Sequence, residues 1–332
     1  MKNLSRRDFG KAVATGAVGG LTASSGSSLS GQTRGTSSSV KRMTTALREL
    51  IAKHGIIVSP AAYDPLSARL AERVGFNCLD QPGNAMGVFS CIPEPALSLG
   101  EVAQLTLKIT AAVNIPVVVD VGAGYGEPAH VYRTIRVMEQ VGAAGMHIED
   151  QIVPKRFHYH VGVEHTIPAE AMVDKIHAAV EGRRDADFVI IARTDAVRTN
   201  SFAEAVRRSN RYLEAGADVA MLYPETLEDI QRTPKEVHGP VNWGYSTKMT
   251  MGEGICPSLQ DLETWGYKMM NYAHVPELAA YKAMKDALVQ LKTTGTVKLD
   301  RAVYEPLVAE FEELEGLPTY IRIETETVEK GK

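Results

Sequence analysis

Phe188-Val189-Ile190-Ile191-Ala192-Arg193-Thr194-Asp195 decides the fold. Its apolar part runs without polar alternation, so it does not read as a strand with one wet face; it reads as a strand buried on both faces, as in a parallel sheet. Val117-Val118-Val119, ended by Asp120, has the same character. Working outward, comparable runs lie at Ile56–Ala62, Cys78–Gln81, Pro116–Asp120, Ala144–Glu149, Phe188–Thr194, Val219–Tyr223, Val241–Tyr245 and Lys268–Tyr272, eight in all. Helical periodicity fills the gaps, at Leu66–Val74, Leu99–Ala112, Val131–Val141, Ala169–Glu181, Phe202–Ala215 and Ser258–Trp265. Several of these stop at a glycine suited to a helix C-terminus: Gly75, Gly142, Gly216 and Gly266. Eight strand–helix units favour a closed (β/α)₈ barrel over an open sheet, an α/β fold. Two further helical stretches, Glu277–Lys292 and Tyr304–Leu314, exceed what one closing helix requires, and the surplus is available to pack on a neighbouring subunit.

The rest of the composition is consistent with one catalytic domain, residues 41–332 of a 332-residue chain that is 44% hydrophobic and 23% charged. A net charge of −4 offers no field for nucleic acid or for an anionic membrane, so the expected partner is a small molecule. Cys78, Cys91 and Cys256 are an odd number with neither disulfide nor zinc spacing, and they read as core thiols.

Residues 1–40 differ in kind. Ser5-Arg6-Arg7-Asp8-Phe9-Gly10-Lys11 precedes a small, uncharged run from Ala12 to Leu21 and then Ser/Gly-rich sequence, the pattern of a twin-arginine export signal and linker. The expectation is a periplasmic or exported protein; the alternative is a basic tail on a cytoplasmic one. No stretch is long and apolar enough to span a membrane, and no membrane contact is expected of the mature protein.

In such a barrel the active site lies at the C-terminal ends of the strands, so the informative residues are polar ones where apolar runs stop: Gly83-Asn84, Asp120, Glu149-Asp150, Arg193-Thr194-Asp195, Glu225 and Asn242. Asp120 and Glu149, ending the third and fourth strands, converge across the barrel mouth as oxygen ligands suited to Mg²⁺, with Mn²⁺ as the alternative. They could equally be caps of the following helices.

Gly145-Met146-His147-Ile148-Glu149-Asp150-Gln151, then Pro154-Lys155-Arg156, and Ile190-Ile191-Ala192-Arg193-Thr194-Asp195-Ala196 shift the balance. With Ala61-Ala62-Tyr63-Asp64 and Asp120…Gly124-Tyr125-Gly126, these runs resemble the isocitrate lyase and phosphoenolpyruvate mutase superfamily over about three quarters of the chain, Thr45 to Leu291. The resemblance implies a (β/α)₈ barrel whose last helix is swapped between subunits, in a dimer of dimers, and an enolate-type intermediate stabilised on Mg²⁺. By the same resemblance Asp120 is the direct metal ligand, Glu149 holds the metal through water, and Glu94 stands near the place of a further metal-shell Asp. Arg193 matches the clamp of the substrate carboxylate, with an ion pair inside the barrel as its structural alternative. The Gly83 N–H falls where the family binds a substrate oxygen, or else forms a plain Pro-Gly-Asn turn. Asn84 joins it in substrate binding, and Asn242 approximates a substrate-binding Asn or a turn residue. Lys155, His158, Arg193 and Tyr63 are the implied catalytic residues.

Two departures bear on the chemistry. The family's lyase branch carries a Cys acid in a Lys-Arg-Cys-Gly-His loop, whereas this loop reads Lys155-Arg156-Phe157-His158-Tyr159-His160, and Phe transfers no proton. His158, Tyr159 and His160 are the candidate replacements, or form a lid. Gly122 stands where a further outer-shell Asp is usual. The expected function is a Mg²⁺-dependent C–C lyase or decarboxylase of a small 2-oxo or 2-hydroxy dicarboxylate. The alternatives are a phosphonomutase or phosphonopyruvate hydrolase, disfavoured because the loop lacks that branch's Asn-Ser pair, and an exported carboxylate-binding protein without catalysis.

Overall fold

The computed structural model describes residues 41–245, 249 and 251–330. The twin-arginine segment and its linker, residues 1–40, lie outside the described residues. All eight expected strands form: β1 (Ile57–Pro60), β2 (Leu79–Gln81), β3 (Val117–Asp120), β4 (Gly145–Glu149), β5 (Val189–Thr194), β6 (Val219–Leu222), β7 (Val241–Tyr245) and β8 (Met269–Tyr272). They pair in parallel in the order β1-β8-β7-β6-β5-β4-β3-β2, and a parallel bridge between Ala61 and Asp80 brings the two end strands together. This is a (β/α)₈ barrel.

The helices are α1 (Met43–Ala52), α2 (Pro65–Val74), α3 (Gly83–Ser90), α4 (Leu99–Thr110), α5 (Pro128–Gln140), α6 (Ala169–Gly182), α7 (Ala196–Thr199), α8 (Phe202–Glu214), α9 (Leu227–Glu236), α10 (Leu259–Trp265), α11 (Val275–Thr294), α12 (Arg301–Glu315) and α13 (Leu317–Glu326). Their ends follow local chemistry. Asp64 and Ser67 close a capping box with Pro65 in the first turn of α2, and Ser98 with Glu101 does the same for α4. Gly75 and Gly266 end α2 and α10 in the left-handed conformation that glycine adopts without a Cβ penalty. No helix among the described residues is long and apolar enough to cross a membrane.

Side chains alternate across each strand, and the two faces carry different cargo. Met146, Ile148, Ile190 and Ala192 point outward into the layer packed under the helices. Inward, Ile57, Cys78, Val118, Val189, Val219 and Met269 form an apolar plug joined by Leu47 of α1. One pleat further along the same strands the inward positions become polar: Asp80, Asp120, His147 and then Glu149, Arg193 and Asn271. The plug supports the barrel from below, and the polar tier above it is where chemistry can occur.

Cys78 is in that plug, but Cys91 and Cys256 are exposed, which corrects the reading of all three as core thiols. Cys91 ends the short α3 in the left-handed region, φ 54°, and so leaves the barrel wall instead of entering it.

Candidate active site

Two adjoining cavities of about 280 and 660 Å³ open at the C-terminal ends of the strands and share Gly83, Glu94 and Asp120. Strand ends deliver Asp120 from β3, Glu149 from β4 and Arg193 from β5, while the segment after β4 folds back to insert Lys155 and Tyr159. The Lys155 ammonium lies 2.6 Å from Glu94 Oε1 and 2.8 Å from Glu149 Oε1. Arg193 Nη1 lies 3.2 Å from Glu149 Oε2, and its Nε donates to Asp195 Oδ1 at 3.0 Å. The guanidinium also sits 4.8 Å from the centre of the Tyr223 ring, a cation–π contact. Burial works against charge on Lys155, yet Glu149 and Glu94 outweigh it and hold its pKa well above the usual value.

Asp120 is held by two backbone donors. The Gly122 N–H donates to its Oδ1 at 2.8 Å, and the Gly83 N–H, in the first turn of α3, lies 3.4 Å from its Oδ2. A Cβ at Gly83 would stand 2.8 Å from Glu94 Cδ, so a larger residue there would push the Glu94 side chain off its Lys155 contact. Thus the helix N-terminus and the Asp carboxylate address one spot, where a small anion or its cation would bind.

Among the described residues no three His, Cys, Asp or Glu side chains form a ready-made metal cluster. The donor chemistry nevertheless fits Mg²⁺, which is commonly held by one or two carboxylates with water completing the shell. The tier is short of positive charge. Burial pushes Glu149 up to about 7 against the pull of Lys155 and Arg193, and burial followed by the charge of Asp120 pushes Asp80 well above the carboxylate range. The buried Asp80 Oδ1 accepts no hydrogen bond. Asp120 would hold the ion directly, with Glu149 and Glu94 reaching it through water.

The expected residues are not all gathered here. Gly83, Asn84, Glu94, Asp120, Lys155 and Arg193 line the cavities, and Glu149 anchors Lys155 and Arg193 from below. Asn242 faces inward one pleat too deep: fully buried, it lines neither cavity, and Gly244 takes the mouth position on β7. Tyr63 packs beside Phe89, ring centres 6.1 Å apart, and lines neither cavity. Of the loop aromatics, Phe157 and His158 lie on the exposed side of the 3₁₀ turn Phe157–Val161 and outside the cavities, whereas Tyr159 turns inward to accept from Arg193 Nη2 at 2.9 Å. His160 reaches only the rim of the larger cavity.

Sequence reading missed Asp80, His147, Asn271 and His274, all on the wall of the larger cavity. The signal for the first three was present: each lies two residues along its strand from an inward neighbour, Cys78, Glu149 and Met269 respectively. Asp150, by contrast, is a buried structural hub, taking bonds from Thr194 Oγ1 at 2.6 Å, Tyr212 at 2.8 Å and Arg208 Nη1 at 2.9 Å.

A family model described as phosphoenolpyruvate phosphomutase matches residues 47–292. The chain is 36% identical over 299 residues to a 2-methylisocitrate lyase of Aeropyrum pernix, covering 88% of this chain and 94% of that protein. It is 33% identical over 292 residues to 2,3-dimethylmalate lyase of Eubacterium barkeri, covering 85% and 98%. A solved structure of phosphonopyruvate hydrolase complexed with oxalate and Mg²⁺ superposes with a TM-score of 0.76 at 26% identity, covering 87% of this chain and all of that one.

Proposed function

The chain belongs to the phosphoenolpyruvate phosphomutase family, within the isocitrate lyase superfamily, and from that premise we propose that it is a divalent-metal-dependent lyase of a small 2-hydroxy or 2-oxo dicarboxylate. It is a carbon–carbon lyase by kinship with relatives named as 2-methylisocitrate and 2,3-dimethylmalate lyases. The observation that carries the finer reading is the meeting in one recess of the Gly83 N–H, the Asp120 carboxylate and the Arg193 guanidinium.

Arg193 supplies a fixed, planar donor for one substrate carboxylate, and its own orientation is set by Glu149, Asp195 and Tyr159. Because those partners hold it before substrate arrives, little order is lost on binding. The Gly83 N–H and the positive end of α3 face the oxygen on which negative charge develops. Lys155 adds a second fixed cation. A bound Mg²⁺ would supply further electrostatic stabilisation of that developing charge. Tyr159 and its loop line the larger cavity, where they would limit water at the reacting carbon once substrate is bound.

The surplus helices α11 to α13 support an oligomer, which we propose to be a dimer of dimers with an exchanged helix: Tyr281, Leu288, Phe311 and Tyr320 are large apolar side chains left exposed on them. We also propose export through the twin-arginine segment. Replacing both arginines by lysine in a reporter fusion would abolish periplasmic signal, and unchanged signal would refute it.

The test of function is product release by the full chain, with Mg²⁺ or EDTA, on 2-methylisocitrate, substituted malates, oxaloacetate and phosphonopyruvate. EDTA-sensitive release of pyruvate or glyoxylate from one carboxylate supports the proposal. Turnover of phosphonopyruvate alone would move the chemistry to a P–C bond, and binding without product would leave a carboxylate-binding protein.

A further inference from the structure

The larger cavity, which Arg193 lines, also holds a second polar group that the family resemblance does not assign. His274, just past the end of β8, lines that cavity. Its Nδ1 lies 2.7 Å from Oε1 of Glu277, a carboxylate 7% exposed in the first turn of α11. Its Nε2 lies 2.9 Å from Asn84 Nδ2, on α3 beside Gly83. His274 adopts φ 67° and ψ 3°, a left-handed conformation that a side chain with a Cβ enters at a cost and keeps where its surroundings require it.

The 2.7 Å approach is an ion-pair distance in which neither Glu277 oxygen receives a hydrogen bond, but a carboxylate only accepts, so its nearness favours the proton on Nδ1 and leaves the Nε2 lone pair toward the Asn84 amide at the cavity wall. His147 differs: it is buried, and its Nε2 lies 3.1 Å from Asn271 Nδ2 and 3.4 Å from Asp80 Oδ1. His158 is exposed and outside the cavity.

We propose that His274, oriented by Glu277, is the proton-transfer residue of this site for a 2-hydroxy carboxylate substrate. Asn84 holds the place that the substrate hydroxyl takes, and its amide then donates to the same oxygen. Nε2 accepts the hydroxyl proton as the oxygen forms its C=O bond and the adjacent C–C bond breaks. The bonding pair passes to the departing carbon as an enolate, and the imidazolium, its charge matched by Glu277, returns the proton to that carbon. Atoms and electrons balance without a further reagent, and the proton that a Cys would have given is the one taken from the hydroxyl. Glu277 is a positioning residue. The inference rests on the lyase reading of the cavity.

Two measurements on the full chain test it separately from that reading. With the carboxylate that the product-release assay identifies, His274→Asn, chosen because Asn tolerates φ above zero, lowers kcat by roughly 10²- to 10⁴-fold with KM nearly unchanged. Glu277→Gln lowers kcat and shifts the pH profile, which a merely structural role would not do. Undiminished kcat in His274→Asn alongside an active parent overturns the inference and leaves the lyase reading standing. Independently of any turnover, nitrogen NMR of the His274 ring reports a protonated Nδ1 and a bare Nε2 in the parent, with that preference lost in Glu277→Gln. A ring protonated on Nε2 in the neutral parent overturns it.

Discussion

Arg193 Nη2 donates to the Tyr159 hydroxyl at 2.9 Å, while Lys155 Nζ lies 3.9 Å from the centre of the same ring. One aromatic side chain from the loop after β4 therefore touches both cations of the site. Tyr159→Phe keeps the ring and removes the hydroxyl bond, a charge-assisted contact worth about 1.5–3 kcal/mol. The expected outcome is a KM for the carboxylate raised roughly tenfold, measured by steady-state kinetics, with kcat affected less. Tyr159→Ala, which also uncovers Lys155, impairs both.

Asp150 carries stability and not chemistry. It takes bonds from Thr194, Tyr212, Arg208 and the Asp195 N–H, and Asp150→Ala leaves the buried Arg208 without one of its two carboxylates. Breaking a buried pair costs about 3–5 kcal/mol. Urea denaturation should show a lower midpoint at unchanged slope, and a midpoint equal to the parent's would refute this role.

The three thiols divide by exposure. Burial pushes Cys78 up to about 12, so it is neither accessible nor ionised at neutral pH. Iodoacetamide followed by peptide mapping of the native protein should label Cys91 and Cys256 and spare Cys78 until denaturant is added.

Glu204 gives a pH signature on the surface. Hydrogen bonds from Arg207, and then from Arg208, outweigh the effect of burial and draw its carboxyl down to about 2. A depressed carboxylate pKa adds stability that is present above the unfolded value and fades as pH falls toward the folded one. Solvent screens the site, so the contribution at pH 7 is under about 1 kcal/mol. Glu204→Gln should be slightly less stable at pH 7, and the gap should narrow between pH 4.5 and 2 in denaturant midpoints.

The barrel was legible because its strands are apolar on both faces: Val117–Val119 and Phe188–Ile191 mark parallel strands without any knowledge of their partners. The charged ends of those runs, Asp120, Glu149 and Arg193, were legible for the same reason. Asp80 and Asn271 were hidden because polar residues inside a short run look like interruptions, and only the two-residue alternation shows that they face inward. His274 and Glu277 gave no pattern at all, since they meet only when α11 starts back from the mouth. His158 was misplaced because the pitch of a 3₁₀ turn, which decides that Tyr159 and not its neighbour points inward, depends on contacts with Arg193 and Lys155 from distant strands.

Whether Asp120 and Arg193 serve one ligand is read most directly by calorimetric titration of oxalate with Mg²⁺ into the parent, Arg193→Lys and Asp120→Asn proteins. One shared carboxylate site predicts binding by the parent, an affinity loss of roughly 10- to 100-fold in Arg193→Lys from the missing fork of donors, and binding by Asp120→Asn that no longer responds to Mg²⁺. Oxalate bound with parental affinity and parental Mg²⁺ dependence by both variants, each still folded by circular dichroism, would contradict a site built on these two residues.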